Sequence, residues 1–158
     1  MTNDTGGRLL KGAAAGLAAT VPMTAVMVGA HRALPAWERH PLPPRKITMR
    51  AAGKVGLRKH MGERHRLATT LAAHFGYGTA VGSILGAVAP RGMGKAAATG
   101  AGFGLLVWAA SYLGLMPALD LHPPATRDSV RRNLLMVAAH LVWGATAGAV
   151  VDALRDGE

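Results

Sequence analysis

Ala72-Ala73-His74-Phe75-Gly76-Tyr77-Gly78, running on to Gly82, recurs later in the chain as Ala138-Ala139-His140-Leu141-Val142-Trp143-Gly144, running on to Gly148. The shared pattern is Ala-Ala-His-x-x-[Tyr/Trp]-Gly-x-x-x-Gly. On an α-helix, residues four and eight apart lie near one face, so each histidine shares a stripe with two glycines. Both copies sit in stretches free of Asp, Glu, Lys and Arg.

Two further stretches have the same character, giving four in all: Gly12–Ala30, Leu67–Ala89, Ala96–Leu119 and Asn133–Val151. About 20 apolar residues of helix span a bilayer core. Inside lipid every backbone polar group must be bonded within the segment, which makes these spans helices. A water-soluble bundle needs charged faces turned outward, and none of the four stretches carries one. The reading is all-α: a four-transmembrane-helix bundle in a single integral membrane domain over residues 1–158. The spans are expected at about 10–31, 67–89, 95–117 and 132–153, with a basic loop at 35–66. No small-residue cleavage site ends the first apolar block, so it is expected to remain as a span.

The repeat extends beyond the histidines. Lys11-Gly12-Ala13-Ala14-Ala15-Gly16 resembles Lys95-Ala96-Ala97-Ala98-Thr99-Gly100, and those spans lead to Leu34-Pro35 and Met116-Pro117. A duplicated helical hairpin with parallel repeats and a pseudo-twofold axis along the membrane normal would produce this order. Each span also carries a small-xxx-small motif: Gly12/Gly16, Gly78/Gly82/Gly86, Gly100/Gly104 and Gly144/Gly148. Such spacing lets helix backbones approach closely where no hydrophobic force drives them together. Pro22 falls inside the first span and is expected to kink it, with Thr20 or Thr24 satisfying the freed carbonyl.

The net charge of +10 is concentrated rather than spread. Ten of the 18 Lys/Arg lie between His31 and Arg66, and the third loop adds Arg127, Arg131 and Arg132. Cationic loops mark the cytoplasmic side, so loops one and three are expected there and both termini in the periplasm. This distribution speaks for topology and for an anionic bilayer surface, not for nucleic acid. Lys46, Arg50, Lys54 and Arg58 form an i, i+4 row suited to lipid headgroups, beside an apolar row of Ile47, Ala51 and Val55.

The chain has no cysteine. Disulfides, thiolate metal sites, iron–sulfur clusters and cysteine nucleophiles are thereby excluded. No carboxylate pair, nucleophile–base arrangement or phosphate loop is present, so no catalytic residues are assigned and no enzyme activity is expected.

Pro41-Leu42-Pro43-Pro44-Arg45 follows the first span, and the His-containing second span comes next. A Gly-rich third span then ends at Met116-Pro117, and Ala139-His140-Leu141-Val142-Trp143 lies in the fourth. In that order these features resemble the YagU-like family of small bacterial inner-membrane proteins, from about Gly12 to Asp152. The resemblance implies a multi-pass protein of the bacterial plasma membrane and implies no established enzyme activity.

His74 and His140 are the candidate site. Hydrogen bonding to a neighbouring helix is the expected role, with Thr24, Ser83, Ser111 and Tyr112 as candidate partners, and on that reading there is no cofactor. The alternative is a haem b held between the two imidazoles. Tyr77 and Trp143, three residues after each histidine, would stack on it or on a ligand. The function expected is a non-enzymatic interaction or accessory subunit, as a homo-oligomer or within a larger membrane complex. A membrane electron carrier is the alternative, and a small transporter or channel, suggested by Pro22, is the third reading.

Overall fold

The computed structural model describes residues 5–156. Among them there are five substantial helices and no strand: α1 (Thr5–Ala33), α2 (Pro43–Lys54), α3 (Glu63–Val88), α4 (Met93–Ala118) and α5 (Val130–Asp156). Four of these, α1, α3, α4 and α5, are long and apolar enough to cross a bilayer. The architecture is an all-α four-helix bundle, and each of the four long helices begins a few residues before its apolar stretch.

The helices associate as two close pairs, α1 with α3 and α4 with α5, joined by a broad α1–α5 contact. α3 and α4 barely meet. The pairs close over glycine. A Cβ added at Gly12 would lie 2.6 Å from the Gly86 Cα, and one at Gly82 would lie 2.6 Å from the Gly16 Cα. Across the second pair, a Cβ at Gly144 would lie 2.7 Å from the Gly100 carbonyl carbon. Atoms cannot approach that closely, so backbone replaces side chain along both seams, and dispersion between the helix backbones holds the pairs.

α1 runs unbroken through Pro22. The expected rescue by threonine takes a different course. Proline withholds the bond that Ala18 would accept. Thr20 donates to the Gly16 carbonyl at 2.7 Å and Thr24 to the Thr20 carbonyl at 2.6 Å, so neither reaches Ala18.

α4 contains a wider turn, Ala110–Leu115, with π-type bonding, shortly before Pro117. The i→i+5 spacing brings Ser111 and Met116 into line and buries the consecutive residues Ser111 and Tyr112. Such turns are rare in helices and gather at functional sites.

Within the basic loop, α2 begins with prolines at its first two positions, where a missing N–H costs nothing. It stops at Lys54 because Gly56 takes a left-handed φ of 74° and Leu57 bonds back to the Ala52 carbonyl at 2.9 Å. The row of Lys46, Arg50, Lys54 and Arg58 is therefore broken: three members lie on α2 and Arg58 on the short turn that follows.

Candidate functional site

The space left between the two glycine-packed pairs is a cavity of about 230 Å³. All four spans and α2 line it. α1 supplies Thr20 and Met23, while α2 covers one end with Pro44, Ile47 and Thr48. Most of the wall is apolar, and no Asp, Glu, Lys or Arg contributes to it.

His74 and His140 both line this cavity, as do Tyr77 and Trp143. The four residues of the repeated motif thus converge on one space. They do not play symmetric parts. The Thr24 hydroxyl already donates to Thr20, so its oxygen accepts from His74 Nε2 at 3.2 Å. His74 is thereby assigned the tautomer with its proton on Nε2. His140 Nδ1 lies 2.7 Å from the Met136 carbonyl, which can only accept. His140 therefore carries its proton on Nδ1 and keeps a lone pair on Nε2. That nitrogen has no hydrogen-bond partner among the described residues, although His140 is only 5% exposed.

The aromatics diverge too. Trp143 donates from Nε1 to the Gly16 carbonyl at 3.2 Å and so ties α5 to α1. Tyr77 bonds the Ser111 hydroxyl at 2.9 Å, a polar bridge across the seam where α3 and α4 otherwise barely meet.

Tyr112 completes the site, and the motif did not point to it. Its ring stands edge-on to His140, with centroids 5.9 Å apart, and edge-on to His122 at 5.6 Å. It is 8% exposed, and its hydroxyl has no partner among the described residues. The π turn that buries it depends on backbone bonding, which no residue spacing reveals. His122, in the turn after α4, donates from Nδ1 to the Pro123 carbonyl at 2.7 Å, and its buried Nε2 is unpartnered. Burial is the main cause holding the His122 pKa below its usual value.

The ends of the bundle are pinned by charge. Arg50 meets Asp120 at 2.7 Å, and Lys54 reaches the Leu119 carbonyl at 2.7 Å, which draws α2 onto the turn after α4. Lys46 lies 2.9 Å from His40 Nδ1, while Arg58 is exposed. Arg132, 3% exposed, is held by Asp128 at 3.1 Å and by the Glu38 carbonyl at 2.8 Å. At the opposite end, Arg155 donates to the Gly86 and Ala89 carbonyls at 2.6 and 2.8 Å, satisfying orphan acceptors where α3 ends. Buried Asp152 accepts from Gly92 N–H at 2.8 Å, where α4 begins. One turn of α5 therefore clamps both sides of the α3–α4 connection, with each charge matched to the adjoining helix dipole.

Among the described residues, no three His, Cys, Asp or Glu side chains are grouped to hold a metal ion. A family model described as "Protein of unknown function (DUF1440)" matches residues 23–149, most of the chain, and the chain belongs to that family. No curated protein and no solved structure matches it.

Proposed function

We propose that this member of the DUF1440 family is a non-enzymatic binding protein of the bacterial inner membrane. It holds one small lipophilic guest in its central cavity and serves as an accessory subunit of a larger membrane assembly. The observation that carries the reading is the cavity itself, lined by all four spans and α2. Apolar walls with a few converging polar groups are the usual make-up of a small-molecule site. The α3–α4 seam, with its little helix contact, gives such a guest a path from the bilayer. The YagU-like kinship, the duplicated hairpin and the cytoplasmic placement of the basic loop belong to the same proposal, as do contacts of exposed basic residues such as Arg58 with anionic headgroups.

The test uses the full chain with Trp37→Phe and Trp108→Phe, which leaves Trp143 as the fluorophore inside the site. A short brominated alkyl probe added to nanodiscs is expected to quench Trp143 saturably, and Val107→Phe, which fills the cavity, is expected to abolish that saturation. Quenching that only rises in proportion to probe in the membrane, identically in both proteins, overturns the reading.

A haem b is the second reading, favoured by the presence of both imidazoles on one cavity. Two features count against it. His74 Nε2 is spent on Thr24, so only His140 offers a free Nε2 lone pair. A porphyrin also needs more room than about 230 Å³. A Soret band in protein from haem-replete cells would establish this reading, and its absence would end it.

A further inference from the structure

The polar atoms left over in the cavity define the chemistry of its occupant. His140 Nε2 is an acceptor without a donor, and the Tyr112 hydroxyl is without a partner, on rings whose centroids are 5.9 Å apart. Both side chains are nearly enclosed, and a polar group left unpaired in a water-free apolar cavity costs about 1–3 kcal/mol, which a suitable guest recovers. The Thr48 hydroxyl and the second ring nitrogen of His74 also have no partner among the described residues, while the remaining polar side chains of the lining are occupied. Thr20 and Trp143 donate to the Gly16 carbonyl, and Tyr77 pairs with Ser111.

We infer that the cavity takes the head of a neutral hydroxyarene lipid, a phenol or hydroquinone ring bearing an alkyl chain, whose hydroxyl donates to His140 Nε2 and accepts from the Tyr112 hydroxyl. The inference rests on the reading of the cavity as a guest site and specifies the guest.

Three observations lead to it. First, the head is neutral. No charged side chain lines the cavity, and an unpaired ion buried there would be strongly disfavoured. Second, the head must donate. A carbonyl, ether or ester group offers only acceptors and would leave His140 unsatisfied, whereas a hydroxyl serves as donor and acceptor together. Third, size and walls suit a single ring. An apolar cavity of about 150 Å³ holds benzene, and this one, of about 230 Å³, adds room for ring substituents but not for a tail. Aromatic and thioether side chains, Tyr112, Trp143, Met23, Met116 and Met136, surround the space and favour ring edges and faces. The tail leaves through the α3–α4 seam into lipid.

The experiment titrates the intact protein in nanodiscs with three probes of identical chain length: a 4-alkylphenol, its methyl ether and the matching alkylbenzene. Binding is read by Trp143 fluorescence in the Trp37→Phe, Trp108→Phe background. The phenol is expected to bind about tenfold more tightly than the other two, as loss of a donor to a buried acceptor implies. His140→Phe is expected to abolish that preference. Tyr112→Phe, which keeps the ring and removes only the hydroxyl, is expected to reduce it. Equal affinity for all three probes overturns the hydroxyl assignment while leaving a lipophilic site in place. Failure of all three to bind overturns both readings.

Discussion

Replacing Gly144 with alanine adds one methyl group in the closely packed α4–α5 seam. The new Cβ would stand 2.7 Å from the Gly100 carbonyl carbon and 3.0 Å from the Gly104 nitrogen. Carbon contacts settle at about 3.5–4.0 Å, so the helices must part by roughly 1 Å locally, and a gap of that size forfeits a quarter to a half of each dispersion contact along the seam. Overpacking of this kind costs about 1–3 kcal/mol. Gly102→Ala is the matched control, because Gly102 lies on the same pair's exposed face with no atom within 4 Å of its added Cβ. Both substitutions gain similar helix propensity, so the difference between them isolates packing. Equilibrium unfolding in mixed micelles titrated with sodium dodecyl sulfate, followed by far-ultraviolet circular dichroism, should place Gly144→Ala below Gly102→Ala by that 1–3 kcal/mol. Two variants that agree to within about 0.5 kcal/mol, the usual scatter of surface changes, would refute backbone contact as the cement of this pair.

Other expectations concern the ends of the bundle. Arg155→Gln strips the donors from the Gly86 and Ala89 carbonyls and should raise hydrogen exchange at the α3–α4 connection, while exchange in the middle of α1 stays unchanged. The His122 pKa is lowered from 6.5, so its neutral form belongs to the folded state. Its contribution to stability is present above pH 6.5 and fades as pH falls through the lowered value. Measured from neutral toward acid pH, the stability of the wild-type protein should therefore fall more steeply than that of His122→Gln. Equal slopes would contradict the burial of this ring. Because the chain lacks cysteine, a single cysteine at Thr126 should react with an impermeant maleimide only in permeabilised cells, and one at Gly94 in intact spheroplasts. The opposite pattern reverses the proposed orientation.

The four spans and the all-α class are legible in the sequence because apolar length alone decides them. The hydroxyl of Thr24 as a partner for His74 was also within reach, since few polar side chains exist inside the spans to choose from. The site beyond the histidines was not. Its shape comes from the unequal seams, with α1 packed on α5 while α3 and α4 barely meet, and a repeat in sequence gives no hint of that inequality. The opposite tautomers of His74 and His140 follow from what each ring happens to face, a hydroxyl in one case and a main-chain carbonyl in the other. Tyr112 was weighed only as a bonding partner, because its burial beside His140 depends on the π turn. The basic row of α2 was read for its charge, whereas Arg50 and Lys54 grip the turn after α4 and Ile47 closes the cavity.

The central claim is that the cavity holds one neutral guest. Native mass spectrometry of the full-length protein, released directly from nanodiscs cut from its own membrane, tests that claim most directly. The account predicts a single adduct of a neutral lipid on the wild-type protein that survives delipidation and is missing from Val107→Phe. A bare wild-type protein, or an adduct pattern that the filled cavity leaves unchanged, would contradict it.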